Sequence, residues 1–166
     1  MNVIMNIVKA DLHKKIEEQL TSILLNTTEA AMQAHATATH TENKAENKYD
    51  TLGLEAAYLA EGQSKRVVEF KSNLQAFRNL KVKEFSEDME IGIGALICLN
   101  TANKDSKYVF LSPVAGGVEL HFQDINIMLI SEVSPLGKAL KNSFLGDDVI
   151  IKQAHLKLNY KICGLW

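Results

Sequence analysis

Residues 134–149 read SPLGKALKNSFLGDDV, and this stretch decides how the second half of the chain folds. The Ser134 side chain can accept a hydrogen bond from the free amides of a first helical turn, and Pro135 suits the first helical position. Asn142 tolerates the left-handed backbone that ends many helices. We therefore predict a short capped helix over residues 134–142. Gly146 and Asp147 then predict a turn into a strand over residues 149–152.

The sequence on both sides of this helix alternates between apolar and polar residues, which is the pattern of half-buried strands. Turns are predicted at residues 100–106 and 114–117, the second marked by two adjacent glycines. The alternating apolar positions are Ile91, Ile93, Ala95, Ile97 and Leu99; Val118, Leu120 and Phe122; Ile125, Ile127 and Leu129; and Leu156, Leu158, Tyr160 and Ile162. The second half is therefore predicted to be a mostly antiparallel sheet with one helix.

The first half of the chain has the composition and the spacing of long helices. Residues 11–80 contain two glycines and no proline, and their apolar residues step by three and four. The two resulting seams are Leu20, Ile23, Thr27, Ala30, Ala34 and Thr37, and Ala60, Gln63, Val67, Phe70, Leu74 and Phe77. Two such seams predict an antiparallel coiled-coil hairpin with arms on the order of 45 Å long.

The apolar residues change from helical spacing in the first half of the chain to alternation in the second half. This change predicts an α+β protein with two domains. The hairpin occupies residues 1–82, with its tip near residues 40–51, and the sheet domain occupies residues 83–166. The alternative is a helix pair that folds back onto the rest of the chain as part of a bundle.

A cluster of acids, amides and lysines separates the two helical seams. Glu42, Glu46 and Asp50 recur every four residues, with Lys44 and Lys48 between them. On a helix this spacing separates the two charge signs onto different faces. The three acids would span about 12 Å, so an adjacent pair, but not all three, can ligate one ion. The alternative is a solvated charged face.

Composition excludes several classes of function. The net charge is −2 at pH 7 and 46% of the residues are hydrophobic, which indicates a soluble protein without a general attraction for nucleic acid. We therefore expect no sequence-specific DNA binding. No apolar stretch approaches the ~20 residues that cross a bilayer, and no secretory signal is recognisable, so we expect no membrane association and a bacterial-type cytoplasmic location. Cys98 and Cys163 lack the spacing of a redox or zinc motif and are predicted to be buried, reduced thiols.

Two motifs of this chain resemble those of one family. Residues 134–147 are similar to the signature S-P-L-G-x-A-L-x-G-x-x-x-G-D of the Gre transcript-cleavage factors, with Asn142 in place of one glycine. Glu46 and Asn47, shortly before Tyr49, resemble the D-x-x-E-N motif at the tip of the same family. The motifs occur in the family's order, and the hairpin and the sheet are predicted where that family has them.

The resemblance implies a helical hairpin that enters the secondary channel of bacterial RNA polymerase and an FKBP-like domain that holds the channel rim. It assigns polymerase binding to Ser134, Pro135, Leu136, Gly146 and Asp147. The tip residues that would act on the polymerase are Glu42, Asn43, Glu46, Asn47 and Asp50.

It also implies an accessory factor that is not itself an enzyme and has no cofactor of its own. In the polymerase complex Glu42 and Glu46 would share a Mg²⁺ ion, because magnesium prefers carboxylate oxygens, and the polymerase site would then cleave a backtracked transcript.

Besides Asn142, three positions depart from the family's pattern. Tyr49 lies one position early. Asn43 stands where the family has Asp, and Val133 stands where family members often carry an acid. A neutral amide is a poorer magnesium ligand than a carboxylate. Two outcomes therefore stay open, stimulation of transcript cleavage and occupation of the channel with inhibition.

The basic residues beside the second seam and two histidines allow other interpretations. Lys65, Arg66, Lys71 and Arg78 can attract the phosphates of an emerging RNA 3′ end, although such residues more often keep a helix soluble. His35 and His40 could bind zinc with Glu42 or Glu46, but a spacing of five does not place both rings on one helical face.

A sheet with one helix is also compatible with a prolyl isomerase. That activity needs an aromatic pocket, whereas Trp166 is the only tryptophan in the sequence. The remaining alternative is a coiled-coil interaction module without any link to polymerase.

Overall fold

The chain forms two long α-helices, followed by a six-stranded sheet that carries one short helix. This confirms the predicted α+β class. A computed structural model describes residues 7–40, 52–101, 105–153 and 156–166. The helices are α1 (Lys9–Thr39), α2 (Leu52–Arg78) and α3 (Pro135–Leu140). The strands are β1 (Leu96–Thr101), β2 (Ser106–Ser112), β3 (Glu119–Phe122), β4 (Ile125–Ser131), β5 (Asp148–Gln153) and β6 (Leu156–Leu165).

The sheet is mixed, with the strand order β3-β4-β2-β1-β6-β5. Four pairings are antiparallel, and β2 pairs with β4 in parallel. The parallel pairing arises because the chain leaves β2, skips one place to form β3, and returns through a hairpin into the place beside β2. The alternating pattern predicts the strands but not this crossover.

Two strand predictions need correction in the centre of the sheet. No strand is predicted from the sequence for residues 106–112, yet β2 is a central strand. Its consecutive residues Val109, Phe110 and Leu111 are all buried, so alternation is missing because both faces are covered. Residues 91–95 are not part of β1, since Gly94 adopts a left-handed φ of 92° in a turn just before the strand.

Each face of the sheet is covered by helix. On one face a cluster that includes Ile97, Leu99, Val109, Leu111 and Ile130 packs with Leu140 of α3. On the other face the ring of Phe110 lies 5.5 Å from His13 of α1 and 6.1 Å from Phe77 of α2, measured between ring centroids.

A buried lysine attaches the first turn of α1 to the sheet. Lys9 is fully buried, and its ammonium donates to the main-chain oxygens of Gly94 and Trp166, the second at 2.8 Å. The same Nζ lies 5.3 Å from the ring centroid of Phe85 and 5.4 Å from that of Phe110. Carbonyl oxygens and aromatic faces both favour a cation, so they compensate part of its desolvation.

The chain divides into two compact units. One contains Met1–Glu17 and Ala76–Trp166, and the other contains Glu18–Gln75. The described residues of the second unit are 18–40 and 52–75, which include most of α1 and α2.

The helical seams of this second unit follow the predicted spacing on α2 and a shifted one on α1. On α2 Ala60 and Leu74 are buried, and Gln63, Val67 and Phe70 are half-buried, as predicted. On α1 the predicted seam residues Ala30 and Thr37 are exposed, whereas Ala31 and Ala38 are half-buried and Ala34 is buried. Both spacings alternate three and four, and residues 30 and 31 are both alanine, so composition could not choose between the two seams at that turn.

Candidate functional site

The start of α3 is built as its sequence predicts. The Ser134 hydroxyl accepts from the Gly137 amide at 3.0 Å and donates to the Ser131 carbonyl at 2.7 Å, and Pro135 occupies the first turn. Asn142 has the left-handed φ of 64°, two residues after the helix ends at Leu140. The predicted cap and terminator are therefore confirmed.

Gly137 is required by close packing of this helix on the preceding strand. A Cβ at this position would lie 2.0 Å from the Ser131 carbonyl oxygen and 2.9 Å from its carbon. These are backbone atoms, which cannot move aside as the end of a flexible side chain can. The glycine of the S-P-L-G segment thus allows α3 to lie against the end of β4.

Gly146 and Asp147 form the turn that leads into β5. Gly146 has a φ of 92°, which favours glycine, and its amide donates to the Ile162 carbonyl at 3.0 Å. The Asp147 carboxylate accepts from the Phe144 amide at 2.9 Å, and its carbonyl accepts from the Ile162 amide at 2.9 Å. Both residues are exposed, and their hydrogen bonds hold the turn against β6.

A groove of about 740 Å³ lies beside the start of α3. Ser134, Pro135 and Leu136 line it, whereas Gly146 and Asp147 do not. The structure thus brings three of the five predicted polymerase-binding residues to one cavity. Its other lining residues come from the strands and their turns: Leu99, Ser106, Lys107, Tyr108, Val109, Gly116, Gly117, Glu119, Asn126, Ile127, Met128, Leu129, Ile130, Ser131, Ile151, Leu158 and Tyr160.

The groove has a mainly apolar surface with polar groups among its lining residues. The Lys107 ammonium lies 5.8 Å from the ring centroid of Tyr160. Burial, and secondarily the neighbouring Cys98, raise the pKa of the Tyr108 hydroxyl, so it stays protonated at neutral pH. An apolar surface with a few polar groups suits a protein or peptide segment that presents apolar side chains.

The loop before α3 adds an exposed apolar residue to this region. The side chain of Val133 is 70% exposed, and Pro135 is also exposed. Glu132 precedes Val133, and its carboxylate oxygen Oε2 lies 2.7 Å from the Lys141 Nζ in a salt bridge. The acid nearest to Val133 in sequence is therefore already paired, and the loop presents an apolar contact.

Sequence reasoning did not identify the strand residues of the groove. Met128 is 40% exposed although it lies in β4, next to the buried Ile127 and Leu129. The available signal was a methionine at the position between the alternating apolar residues Ile127 and Leu129. Trp166, considered for an isomerase pocket, is not among the lining residues and instead lies 6.4 Å from Tyr108 between ring centroids.

The tip residues Glu42, Asn43, Glu46, Asn47 and Asp50 lie outside the described residues, so their roles stay predictions. The position of the hairpin turn also stays a prediction.

Two of the four candidate RNA-guiding residues are engaged in ion pairs. Lys65 pairs with Glu61 at 2.7 Å, and Arg78 pairs with Glu17 at 2.6 Å. Arg66 and Lys71 are exposed on α2.

Two further properties of the described residues bear on ligands and location. In these parts of the chain, no group of three or more His, Cys, Asp or Glu side chains is placed to hold a metal ion. None of the described helices combines the length and the apolarity that a membrane crossing requires.

Comparison with known proteins finds matches among solved structures. No family model matches the sequence, and no curated protein matches it. A crystal structure of the GreA factor homolog 1 (Gfh1) protein of Thermus thermophilus is 21% identical with a TM-score of 0.39, covering 90% of this chain and 94% of that one. A structure of the transcription factor Gfh1 is 22% identical with a TM-score of 0.40, covering 92% and 94%.

Gfh1 of Thermus aquaticus is 19% identical with a TM-score of 0.37, covering 89% of this chain and 92% of that one. Over about nine-tenths of its length, this chain is similar to proteins named Gfh1.

Proposed function

We propose that this protein is a Gre-like transcription elongation factor that binds bacterial RNA polymerase. The observation that carries the proposal is the placement of Ser134, Pro135 and Leu136 on the wall of the apolar groove. This is the segment whose sequence resembles the polymerase-binding signature of the Gre family. The groove supplies a surface on which a polymerase element can dock.

The chemistry of the surface suggests how docking occurs. Val133, Pro135 and Met128 are exposed apolar residues at or beside the groove. An apolar ridge of the polymerase that fills the groove would remove their side chains from water, at roughly 25 cal/mol for each Å² buried. Polar residues around such a contact mainly set orientation and the rate of association.

The proposed function of the tip rests on its residue types. The hairpin would carry residues 40–51 into the secondary channel, where Glu42 and Glu46 offer the hard carboxylate oxygens that Mg²⁺ prefers. A magnesium ion held there supplies stabilisation of the attacking oxygen in phosphoryl transfer. This protein's carboxylates would hold the ion, while the cleavage site belongs to the polymerase. The exposed Arg66 and Lys71 would add attraction for the RNA 3′ end.

A second candidate function is inhibition by occupation of the channel. The observation that favours it is Asn43, which stands where the Gre tip motif has an acid. With one carboxylate fewer, the tip would hold magnesium more weakly and block the channel without stimulating cleavage.

The experiment adds the protein to stalled, backtracked polymerase complexes and measures both binding and transcript shortening. Met128→Lys places a charge in the groove, whereas Ile150→Lys changes a similarly exposed strand residue that does not line it. We expect the first variant to bind ~10-fold or more weakly and the second to bind like the unchanged protein. Equal binding by both variants would contradict docking through the groove.

Transcript shortening then distinguishes the two functions. Shortening that is lost in Glu46→Gln, a variant of the same shape without the charge, supports stimulation. Competition with an authentic cleavage factor, without any shortening, supports inhibition. If the unchanged protein neither shortens transcripts nor competes, both polymerase functions are rejected.

A further inference from the structure

Two cysteines that are far apart in sequence meet between neighbouring strands. Cys98 lies in β1 and Cys163 in β6, and their sulfur atoms are 2.8 Å apart. Both are free thiols. A separation this short means that the two side chains already point at each other, which is the main geometric requirement for a disulfide.

A β-bulge explains why the thiols meet. Across the two strands Cys98 pairs with Gly164 and Leu99 pairs with Ile162, so Cys163 is the extra residue. A bulged residue leaves the regular alternation of the strand, and its side chain is redirected. The bulge therefore places Cys163 beside Cys98, which is the pairing partner of its neighbour Gly164.

Packing around the bulge holds this arrangement in place. A Cβ on Gly164 would lie 3.0 Å from the Cys98 Cβ and 2.5 Å from the indole ring of Trp166. The indole thus fills the space above Gly164, and Tyr108 lies opposite Cys98 on the other neighbouring strand. Cys98 is enclosed from both sides, whereas Cys163 is only half-buried and accessible to a small oxidant.

We propose that Cys98 and Cys163 form a redox site that closes to an intramolecular disulfide when the protein meets a peroxide. Hydrogen peroxide oxidises the accessible Cys163 thiol to a sulfenic acid and is reduced to water. The Cys98 sulfur then attacks the sulfenic sulfur, the S–O bond breaks, and a second water leaves with the Cys98 proton. Two thiols and one peroxide thus give one disulfide and two waters.

The disulfide would fasten the strand end that anchors α1. Trp166 exchanges two main-chain hydrogen bonds with Leu96, each 3.0 Å long, and its carbonyl also accepts from Lys9. A bond between residues 65 positions apart removes many conformations from the unfolded chain, so it stabilises the folded one. Burial raises the pKa of the Cys163 thiol to about 12, which keeps it protonated and makes closure slow rather than instantaneous.

The test treats the reduced full-length protein with hydrogen peroxide and then maps its peptides without reduction. We expect the mass to fall by two hydrogen atoms, a linked pair of peptides containing Cys98 and Cys163, and a melting temperature raised by about 5 °C. Dithiothreitol should reverse all three changes.

Cys163→Ser is the matched control because it changes only the sulfur of a half-buried residue, and its melting temperature should not rise with peroxide. Cys98→Ala serves as a second variant for the buried position. A gain of oxygen atoms without a linked peptide pair, or a cross-link between two chains, would overturn the proposal. The mass measurement on the unchanged protein decides this even if either variant folds poorly.

Discussion

Two ionisable side chains lie one turn apart on α1, and both are buried against the sheet. Burial lowers the pKa of Lys9 to about 8, an effect that Glu84 partly opposes. Burial, and secondarily the charge of Lys9, lower the pKa of His13 to about 4. Lys9 has carbonyl partners, whereas the His13 Nε2 atom has none among the described residues. At neutral pH the lysine is therefore charged and the histidine neutral.

The buried histidine predicts acid sensitivity. Since the pKa of His13 is about 4 in the folded protein and 6.5 in the unfolded chain, the unfolded chain binds more protons between these values. Stability from this residue is complete above pH 6.5 and is lost as the pH falls toward 4, by roughly 3 kcal/mol in total. His13→Phe keeps a ring beside Phe77 and Phe110 but cannot bind a proton. We expect the variant to become more stable than the unchanged protein by about that amount near pH 4, measured by urea unfolding.

The comparison with neutral pH is the control for this prediction. Near pH 7 the two proteins should differ by about 1 kcal/mol or less, because the ring volumes are similar. Carboxylates also titrate near pH 4, but they do so in both proteins and cancel in the difference. A stability difference that stays constant between the two pH values would show that His13 is not held neutral.

The sequence could not reveal these contacts at the residue scale. Lys9 and His13 occur in a segment rich in charged residues, and the pattern alone predicts a solvated helix end. Their partners Gly94, Phe110 and Trp166 lie 85 or more positions away in sequence, and even the nearer Phe77 and Phe85 are 64 positions from His13 and 76 from Lys9. The contact between the Cys98 and Cys163 thiols could not be predicted either, because only a bulge at one residue brings them together.

At the scale of elements, two helical glycines predict opposite effects of the same substitution. Gly137→Ala places a Cβ 2.0 Å from the Ser131 carbonyl oxygen, so α3 must shift away from β4. We expect a loss of roughly 3 kcal/mol or more in the free energy of unfolding. Gly62 lies inside α2 with no atom within 4 Å of an added Cβ. There, Gly62→Ala should stabilise its helix by about 1 kcal/mol.

Urea unfolding followed by circular dichroism measures both variants. Each is the other's control, since both add one methyl group to a helical glycine. If Gly137→Ala proved harmless, the tight contact between α3 and Ser131 would not exist in solution.

Elements with strong local signals could be predicted from the sequence, and those set by the fold could not. The cap at Ser134 and the terminator at Asn142 follow from local hydrogen bonding and backbone conformation, so they were predictable. Strand β2 was not, because a strand covered on both faces has no alternating pattern. The parallel pairing of β2 with β4 depends on how the chain crosses the sheet, which no local pattern encodes.

At the scale of the whole molecule, the groove shows why the candidate site was only partly predictable. Its wall combines the S-P-L segment, which the motif identifies, with residues of β2, β4, β5 and β6 that only the folded sheet assembles. Met128 and Tyr160, for example, belong to strands that are not neighbours. The motif thus locates one wall of the site, and the shape of the opposite wall requires the structure.

The two compact units are expected to differ in local stability. Among the described residues of the helical unit, Leu20, Ala34, Ala60 and Leu74 are buried, and residues 21–33 and 61–73 contain no buried side chain. In the central strands β1 and β2, by contrast, most residues are buried. Helical amides in those two stretches can therefore open without exposing much apolar surface, whereas amides of β1 exchange only when the sheet unfolds.

Amide hydrogen exchange followed by mass spectrometry tests this difference. We expect peptides from residues 21–33 and 61–73 to exchange ~100-fold faster than those from β1, which corresponds to about 3 kcal/mol. Leu74→Ala should accelerate exchange in the helical peptides and leave β1 unchanged, while Leu111→Ala in the core of the sheet should accelerate β1. If the helical and β1 peptides exchanged at equal rates, and either variant changed both rates together, the chain would unfold as one cooperative unit.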